Sequence, residues 1–150
     1  PMLREAQSKG SSGKQPLSLC AADALCLPIA DASVDVVTVA FGVRNFADLD
    51  VGLSELARVL RPGGELLVLE FSRPRGPMAP VLGWWMRNVP PRVGRFVSGD
   101  REAYSYLPAS VSTFAEGREM CRALETAGLT DVEAQRLTGG VASLYQGRRS

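Results

Sequence analysis

The stretch VDVVTVAFGVRNFADLDVGLSELARVLRPGGELLVLEF, residues 34–71, decides the fold. Residues 34–41 are rich in β-branched side chains and nearly free of charge, which is typical of a central strand covered on both faces of a parallel sheet. Leucines then recur along one helical face, at 49, 53, 56 and 60, and residues 65–71 indicate a second buried strand. Strand, helix and strand in this order form a βαβ unit, whose strands pair in parallel through a right-handed crossover.

Local signals predict where this helix begins and ends. Asp48 is a suitable N-cap, because a short carboxylate accepts a hydrogen bond from a free backbone N–H of the first turn. Arg58 and Arg61 are expected in the last turn, where positive charge complements the helix dipole. Residues 62–64, Pro-Gly-Gly, are then expected to end the helix.

The flanking segments extend this α/β pattern. Residues 17–21 form a short apolar run that suits a buried strand, although so few residues do not separate strand from helix. Downstream, the sequence predicts a helix at 116–127 stopped by Gly128, then an antiparallel pair at the sheet edge, 132–137 and 141–145, around a turn at 139–140.

Residues 73–110 change the character of the chain. Five prolines lie between residues 73 and 99, together with the bulky pair Trp84 and Trp85. A long insertion of this kind in a compact domain is usually a lid or a binding loop. We therefore predict one domain over residues 1–150 with a lid or substrate-pocket insertion at about 73–110, in which the tryptophans belong either to the core or to a ligand pocket.

Composition excludes several classes of function. Seventeen basic and sixteen acidic residues leave a net charge of +1, which gives no reason to expect nucleic acid as a partner. The chain contains no histidine, so mechanisms that need a histidine base, a histidine-activated nucleophile or a histidine-ligated metal are excluded. Methyl transfer from a sulfonium cofactor remains open, because the cofactor is already activated and the protein mainly supplies position.

The cysteines and the hydropathy pattern indicate an intracellular protein. Cys20, Cys26 and Cys121 are odd in number and lack the paired spacing of zinc ligands, so we expect no metal site and a reduced, cytoplasmic protein. No apolar run approaches the roughly 18 residues that span a bilayer, and no signal-peptide pattern opens the sequence.

Ligands of open α/β sheets bind beyond the carboxyl ends of the strands, so the residues at those ends are the candidate site. Asp23 and Ala24 follow the first short strand; Asp23 either contacts a nucleoside or caps its own turn. Arg44 and Asn45 follow the central strand, where an arginine either serves a site or is solvated. Glu70 ends the next strand inside an apolar run, so its carboxylate must find a partner.

Five segments of this sequence carry a resemblance to a known family. The stretch from Arg58 to Ser72 resembles the signature of the UbiE-type ubiquinone and menaquinone biosynthesis methyltransferases, in which a Pro-Gly-Gly turn leads into a strand ending in Glu-x-Ser. Further segments are similar to that family at AADALCLPIAD (21–31), FGVRNF (41–46), AYSYLPASV (103–111) and LTGGVASLYQG (137–147), the last with Tyr145 where histidine is more usual. The resemblance covers essentially the whole chain.

The resemblance implies an α/β fold, a Rossmann-like class I methyltransferase sheet of strand order 3-2-1-4-5-7-6, here missing the first two strands and the glycine-rich turn. Residues 1–9 resemble the helix after the second of those strands, so we expect an upstream segment before Pro1. Loss of strands 1 and 2 would separate residues 17–21 from the sheet, leaving them unpaired or paired anew with residues 34–41.

The resemblance also implies S-adenosylmethionine as cofactor and a polyprenylated quinol precursor, of the demethylmenaquinol or demethoxy-ubiquinol type, as substrate. A ring carbon of the quinol attacks the methyl group as a ring hydroxyl loses its proton; Arg44 polarises that hydroxyl or positions a water, and Asn45 orients it. The remaining roles are cofactor binding by Asp23, Ala24, Ala40 and Phe41, and substrate contact by Tyr104, Tyr106 and Trp84. Tyr104 and Tyr106 either line the quinol pocket or pack in the core.

A polyprenyl tail implies an apolar surface near the site. The tryptophans and arginines of residues 77–97 suit a lid at a membrane interface, so peripheral contact with the inner face of the membrane is expected, as is a homodimer or a biosynthetic complex. Two other functions stay open: a noncatalytic binding or scaffold domain, and a methyltransferase for a different small molecule.

We predict that these 150 residues by themselves bind S-adenosylmethionine weakly or not at all, because the glycine-rich turn that cradles the cofactor's methionine part is absent from the sequence. Isothermal titration calorimetry of the 150-residue chain with the cofactor tests this. Clear binding at low micromolar concentration would contradict it.

Overall fold

The computed structural model describes residues 18–73, 79–81, 83–84 and 114–150. The described elements are one four-stranded sheet and two helices longer than one turn. In chain order they are β1 (Val34–Ala40), α1 (Leu49–Val59), β2 (Leu60–Phe71), α2 (Arg118–Thr126), β3 (Leu129–Leu137) and β4 (Ala142–Arg149).

The sheet has the order β1-β2-β4-β3. β1 pairs with β2 in parallel, whereas β4 is antiparallel to both of its neighbours, β2 and β3. The βαβ unit is therefore confirmed, and so is the antiparallel pair at the sheet edge, although β3 already begins at Leu129 and β4 continues to Arg149. The order also matches the last four strands, 4-5-7-6, of the sheet that the family resemblance implied.

The prediction that residues 34–41 form a central strand covered on both faces is wrong. β1 ends at Ala40 and lies at the edge of the described sheet, with only β2 beside it. Its residues are partly or fully exposed, and Val36 keeps 51% of its surface accessible. The β-branched composition correctly predicted a strand, but the number of neighbouring strands is a property of the sheet and not of the segment.

The buried strand expected at residues 17–21 is wrong for the part that the structure describes. Residues 18–21 have no regular structure and are exposed, and β1 pairs with β2 and not with them. The expected separation of this segment from the sheet is thus confirmed, and the rearranged pairing with residues 34–41 does not occur.

Helix α1 begins as the sequence predicts. The Asp48 carboxylate accepts a hydrogen bond from the Val51 N–H at 3.0 Å, and Leu53 and Leu56 are buried against the sheet. Gly52 faces the ring of Phe46 so closely that a Cβ atom at this position would lie 2.2 Å from the ring. Only glycine therefore allows the turn before α1 to pack onto the helix at this point.

The end of α1 differs from the prediction. The helix stops at Val59, because Leu60 becomes extended and pairs with Val34 at the start of β2. Arg61 therefore lies in β2, not in the last turn, and its guanidinium pairs with Asp35 at 2.6 Å. The Pro-Gly-Gly sequence, residues 62–64, forms an irregularity at the start of β2 and does not end the helix.

An arginine far away in the sequence donates hydrogen bonds to the backbone carbonyl groups at the end of α1. Arg149, in the last strand, donates hydrogen bonds from one nitrogen to the carbonyl oxygens of Ala57, Arg58 and Leu60, at 2.5, 2.5 and 2.9 Å. The last carbonyls of a helix have no partner within the helix, so this contact both stabilises the C-terminus of α1 and joins it to the sheet.

The core lies between the sheet and the two helices. Residues 116–127 were predicted as a helix, and α2 forms within that range and is followed by Gly128 in the left-handed conformation, at φ +94°. The side chains that fill the core come from both helices and from β2, β3 and β4: Leu53, Leu56, Leu60, Leu66, Val68, Met120, Leu124, Leu129 and Tyr145.

Parts of the sequence predictions lie outside the described residues. These parts are the helix end at residues 1–9 and most of the insertion at 73–110. Within the insertion, residues 79–81 and 83–84 have a helical backbone. In the part of the chain that the structure describes, no helix is long and apolar enough to cross a membrane.

Candidate active site

The carboxyl ends of β1 and β2 lie side by side, because the two strands run in parallel. After β1, Gly42 leads into a single 3-10 turn, Val43–Asn45, which is held to the sheet by the buried side chain of Val43. Arg44 in this turn and Glu70 near the end of β2 form an ion pair. Two of the residues selected from the sequence thus meet at the expected edge of the sheet.

The Arg44–Glu70 pair is buried. The side chains of Arg44 and Glu70 are 5% and 1% exposed, respectively, so the reading of Arg44 as a solvated arginine is wrong. The expectation that Glu70 must find a partner is confirmed. Its carboxylate accepts from the Arg44 guanidinium, from the Phe71 N–H at 2.9 Å and, through its second oxygen, from the Arg44 N–H at 3.4 Å.

The ring of Phe71 lies beside the guanidinium. The Arg44 carbon Cζ lies 5.3 Å from the centre of the Phe71 ring, a cation–π distance. Phe71 stacks in turn on Phe41, with ring centres 4.3 Å apart. The nitrogen Nε of Arg44 is buried and has no hydrogen-bond partner within the described part of the chain, so one donor of this guanidinium is unpaired there.

A hydroxyl pair continues the polar cluster toward β4. The Ser143 hydroxyl donates to Ser72 at 3.0 Å, and the Ser72 hydroxyl donates to the Gly140 carbonyl at 2.9 Å. The Ser72 N–H donates to the Val141 carbonyl at 3.0 Å. These bonds tie the end of β2 to the turn before β4, so the strand end that carries Glu70 is held on both sides.

The second part of the candidate site is the turn at residues 23–26. Asp23 accepts a hydrogen bond from the Leu25 N–H at 2.9 Å through its side chain, and its own carbonyl accepts from the Cys26 N–H at 3.1 Å. The carboxylate therefore caps its own turn. It is also exposed, as Ala24 is in part, so capping and contact with a ligand are compatible.

A charged group on α1 holds the segment after this turn. Glu55 accepts from the Leu27 N–H at 2.7 Å and pairs with Arg58, which also pairs with Asp31. The hydrogen bond from Arg58, followed by that from the Leu27 backbone, lowers the pKa of Glu55 from 4.5 to about 2. Glu55 and then Asp31 raise the pKa of Arg58 above its ordinary value.

The other predicted site residues are placed as follows. Ala40 ends β1 on its exposed edge, and Phe41, directly after the strand, adopts a left-handed conformation at φ +56° with its ring stacked on Phe71. Asn45 is exposed beside Arg44. Trp84 is 60% exposed, and Tyr104 and Tyr106 lie outside the described residues.

The residues expected at the cofactor are compatible with an adenosyl group. Asp23 offers an exposed carboxylate, a suitable acceptor for hydroxyl or amino groups, and the exposed β1 edge with the Phe41 ring offers an apolar surface. Within the described ranges, no group of three or more cysteine, aspartate or glutamate side chains could hold a metal ion.

Tyr145 has a structural role, at the start of α2, that the amino-acid sequence did not indicate. It is 2% exposed, and its hydroxyl accepts a hydrogen bond from the Gly117 N–H at 2.8 Å, which fixes the entry into α2. Arg149 was missed in the same way. In both cases the partner lies far away in the sequence, so no local pattern could have revealed the contact.

The geometry agrees with the comparisons with known proteins. The model of the ubiE/COQ5 methyltransferase family matches residues 1–149. The chain belongs to this family. Two segments that resemble this family, Glu-x-Ser and FG-x-RN, contain the residues of the polar cluster. Glu70 and Ser72 belong to the first segment, and Arg44 belongs to the second.

Two curated relatives are 42% and 41% identical in sequence to this chain. The demethylmenaquinone methyltransferase of Bacteroides fragilis is 42% identical over 87% of this chain, which corresponds to 54% of that protein. The ubiquinone/menaquinone biosynthesis C-methyltransferase UbiE of Bordetella avium is 41% identical over 99% of this chain and 58% of its own length. The chain thus spans little more than half the length of these relatives.

Solved structures agree on the fold. A SAM-dependent methyltransferase from Aquifex aeolicus superposes with a TM-score of 0.61 at 18% identity, over 99% of this chain and 64% of that one. The [4+2]-cyclase SpnF superposes with a TM-score of 0.62 at 17% identity, over 98% of this chain and 61% of its own. The Rossmann-like class I fold is therefore confirmed for the part of the sheet that this chain contains, while the cyclase shows that this fold also hosts other reactions.

The Glu55 contacts predict how stability depends on pH. Because folding lowers the pKa of Glu55 to about 2, its contribution to stability should be complete above pH 4.5 and be lost as the pH falls toward 2. Glu55→Gln should therefore destabilise the protein at pH 7, and the difference from wild type should shrink at acid pH. Urea unfolding at pH 7, 4.5 and 2.5 measures this.

The matched control is Glu119→Gln, which removes one negative charge from the exposed first turn of α2. A difference between wild type and Glu55→Gln that stays constant from pH 7 to 2.5 would contradict the assignment.

Proposed function

We propose that the protein containing this chain transfers a methyl group from S-adenosylmethionine to a ring carbon of a polyprenylated quinol precursor, of the demethylmenaquinol or demethoxy-ubiquinol type. The observation that carries the proposal is the buried Arg44, which Glu70 holds at the carboxyl ends of two parallel strands. Membership of the ubiE/COQ5 methyltransferase family supports the reaction type. The names of the relatives, demethylmenaquinone methyltransferase and UbiE C-methyltransferase, support the substrate class.

The chemistry asks little of the protein beyond position and charge. S-adenosylmethionine, when bound, supplies a methyl group that is already activated on a sulfonium. The quinol ring carbon becomes a better nucleophile when a ring hydroxyl loses its proton. An arginine side chain stays protonated in proteins, so Arg44 serves as a hydrogen-bond donor to that hydroxyl oxygen or to a water that accepts the proton, and not as the base.

The other candidates take supporting roles in this proposal. Asp23 and Ala24 meet the adenosyl group from the turn after residue 22, and Ala40 and Phe41 meet it from the end of β1. Asn45, exposed next to Arg44, orients the ring hydroxyl. Tyr104, Tyr106 and Trp84 line the quinol pocket, and residues 73–110 form the lid over a single domain.

Replacement of Arg44 tests the proposal. In the complete protein, Arg44→Ala should lower kcat by about 100-fold or more, because it removes the group that promotes loss of the ring proton. The KM for S-adenosylmethionine should change much less. The assay follows transfer of an isotopically labelled methyl group to a short-chain demethylmenaquinol.

Arg61→Ala is the matched control, since Arg61 also pairs with a carboxylate, that of Asp35, but on the exposed surface. Its kcat should equal that of wild type. Unchanged turnover in Arg44→Ala would remove Arg44 from the site, and transfer to a different acceptor only would favour a methyltransferase for another small molecule.

The apolar surface of the insertion supports a peripheral contact with membranes, which would deliver the polyprenyl substrate. Val81 and Trp84 are 59% and 60% exposed, and aromatic side chains are favoured at membrane interfaces. Trp84→Ser in the complete protein should reduce cosedimentation with anionic lipid vesicles, whereas Val51→Ser, at an exposed position of α1, should not. Equal sedimentation of both variants would contradict the contact.

A homodimer or a biosynthetic complex is a further part of this proposal.

A further inference from the structure

We propose that Glu70 is the positioning residue of this site, and that its single carboxylate sets the place and the orientation of Arg44. This inference rests on the function proposed above for Arg44. Glu70 itself acts through Arg44 and not on the substrate.

The hydrogen bonds of Glu70 reach both parts of Arg44. One carboxylate oxygen accepts from the Arg44 guanidinium, and the other accepts from the Arg44 backbone N–H at 3.4 Å. The first oxygen also accepts from the Phe71 N–H at 2.9 Å, which fixes the rotation of the carboxylate. A residue held at its backbone and at the end of its side chain has little freedom left between these two points.

The two partners differ in how firmly the fold holds them. Glu70 lies in β2, which has a strand on each side, and it pairs in register with Ser143 of β4. Arg44 lies in a three-residue turn that follows an edge strand. A carboxylate on a strand with two neighbours is therefore the fixed point, and the arginine of the turn is placed by it.

Burial leaves the two side chains of the Arg44–Glu70 pair no alternative partner in solvent. The Glu70 side chain is 1% exposed and that of Arg44 is 5% exposed, so neither charge has water as an alternative partner. An unpaired charge in this environment is costly, and loss of either partner would drive the other to reorient. The Phe71 ring, 5.3 Å from Cζ, restricts the plane in which the guanidinium can lie. The buried Nε has no partner in the described chain, so one donor of the guanidinium is left unpaired.

The same geometry excludes direct contact between Glu70 and the substrate. The residue is fully buried, and both of its carboxylate oxygens already accept hydrogen bonds from the chain. A general base must reach the proton that it removes. Glu70 is therefore positioned to affect the reaction only through the residue that it holds.

A double-mutant cycle in the complete protein tests this dependence. Glu70→Gln keeps the size of the side chain but removes its charge, and it should lower kcat by about 100-fold while the KM for S-adenosylmethionine changes little, because a displacement of about 1 Å has an effect of this size. In the Arg44→Ala background, the same substitution should lower kcat by less than about threefold. If the double variant instead shows the product of the two single reductions in kcat, the two residues act independently and the proposal is overturned.

Two further variants separate positioning from general loss of stability. Glu65→Gln is the matched control: the same substitution in the same strand, at a carboxylate whose ion pair with Arg148 is exposed, and its kcat should equal that of wild type. Glu70→Asp keeps the buried charge but withdraws it by one methylene. It should fold and still show a lowered kcat, so wild-type turnover in this variant would overturn the proposal even if Glu70→Gln fails to fold.

A measurement without activity distinguishes this inference from the proposed function. In the complete protein labelled with ¹⁵N, the Arg44 Nε–H should give a slowly exchanging NMR resonance, assigned by its disappearance in Arg44→Ala. The resonance should broaden into exchange with water in Glu70→Asp and stay unchanged in Glu65→Gln. If it is unaffected in Glu70→Asp, the positioning role is wrong; if it responds as expected while the complete protein transfers no methyl group, only the proposed function fails.

Discussion

The parallel pairing of β1 with β2 is the constraint on which the rest of this structure depends. Parallel neighbours cannot be joined by a tight turn, so the chain must return through a crossover, here α1, and both strands then end at the same edge of the sheet. This places Arg44 beside Glu70, although 26 residues separate them in the sequence. The N-cap at Asp48 and the distant Arg149 fix the two ends of the crossover helix.

A buried ion pair at that edge is costly unless each charge is fully satisfied. The carboxylate of Glu70 meets this condition with three donors, whereas the guanidinium of Arg44 keeps one buried nitrogen without a partner in the described chain. A buried donor without a partner is expected where a side chain has a functional role and does not only stabilise the fold. The surface charges around Glu55 and Arg58 differ from it, since they hold the segment after residue 26 against α1 and remain in contact with solvent.

The sequence predicted elements better than it predicted their limits and surroundings. The cap at Asp48, the helix face at Leu53 and Leu56 and the antiparallel pair after Gly128 depend on neighbours within a few residues, and the structure has them as expected. The end of α1 was placed too late, because pairing of Leu60 with Val34 competes with the helix and no local signal reports it. The central position expected for β1 is not found for a different reason: no strand on its other side is among the described residues.

By itself, the sequence determined the βαβ unit, the family and the set of candidate residues, because periodicity, capping and the Glu-x-Ser and FG-x-RN segments are short-range properties of the chain. It also showed that Glu70, inside an apolar run, needed a partner. Only the tertiary structure decided that this partner is Arg44, that the pair is buried and that Arg149 closes α1. These contacts join residues 26 to 92 positions apart, and their existence depends on how the strands are ordered in the sheet.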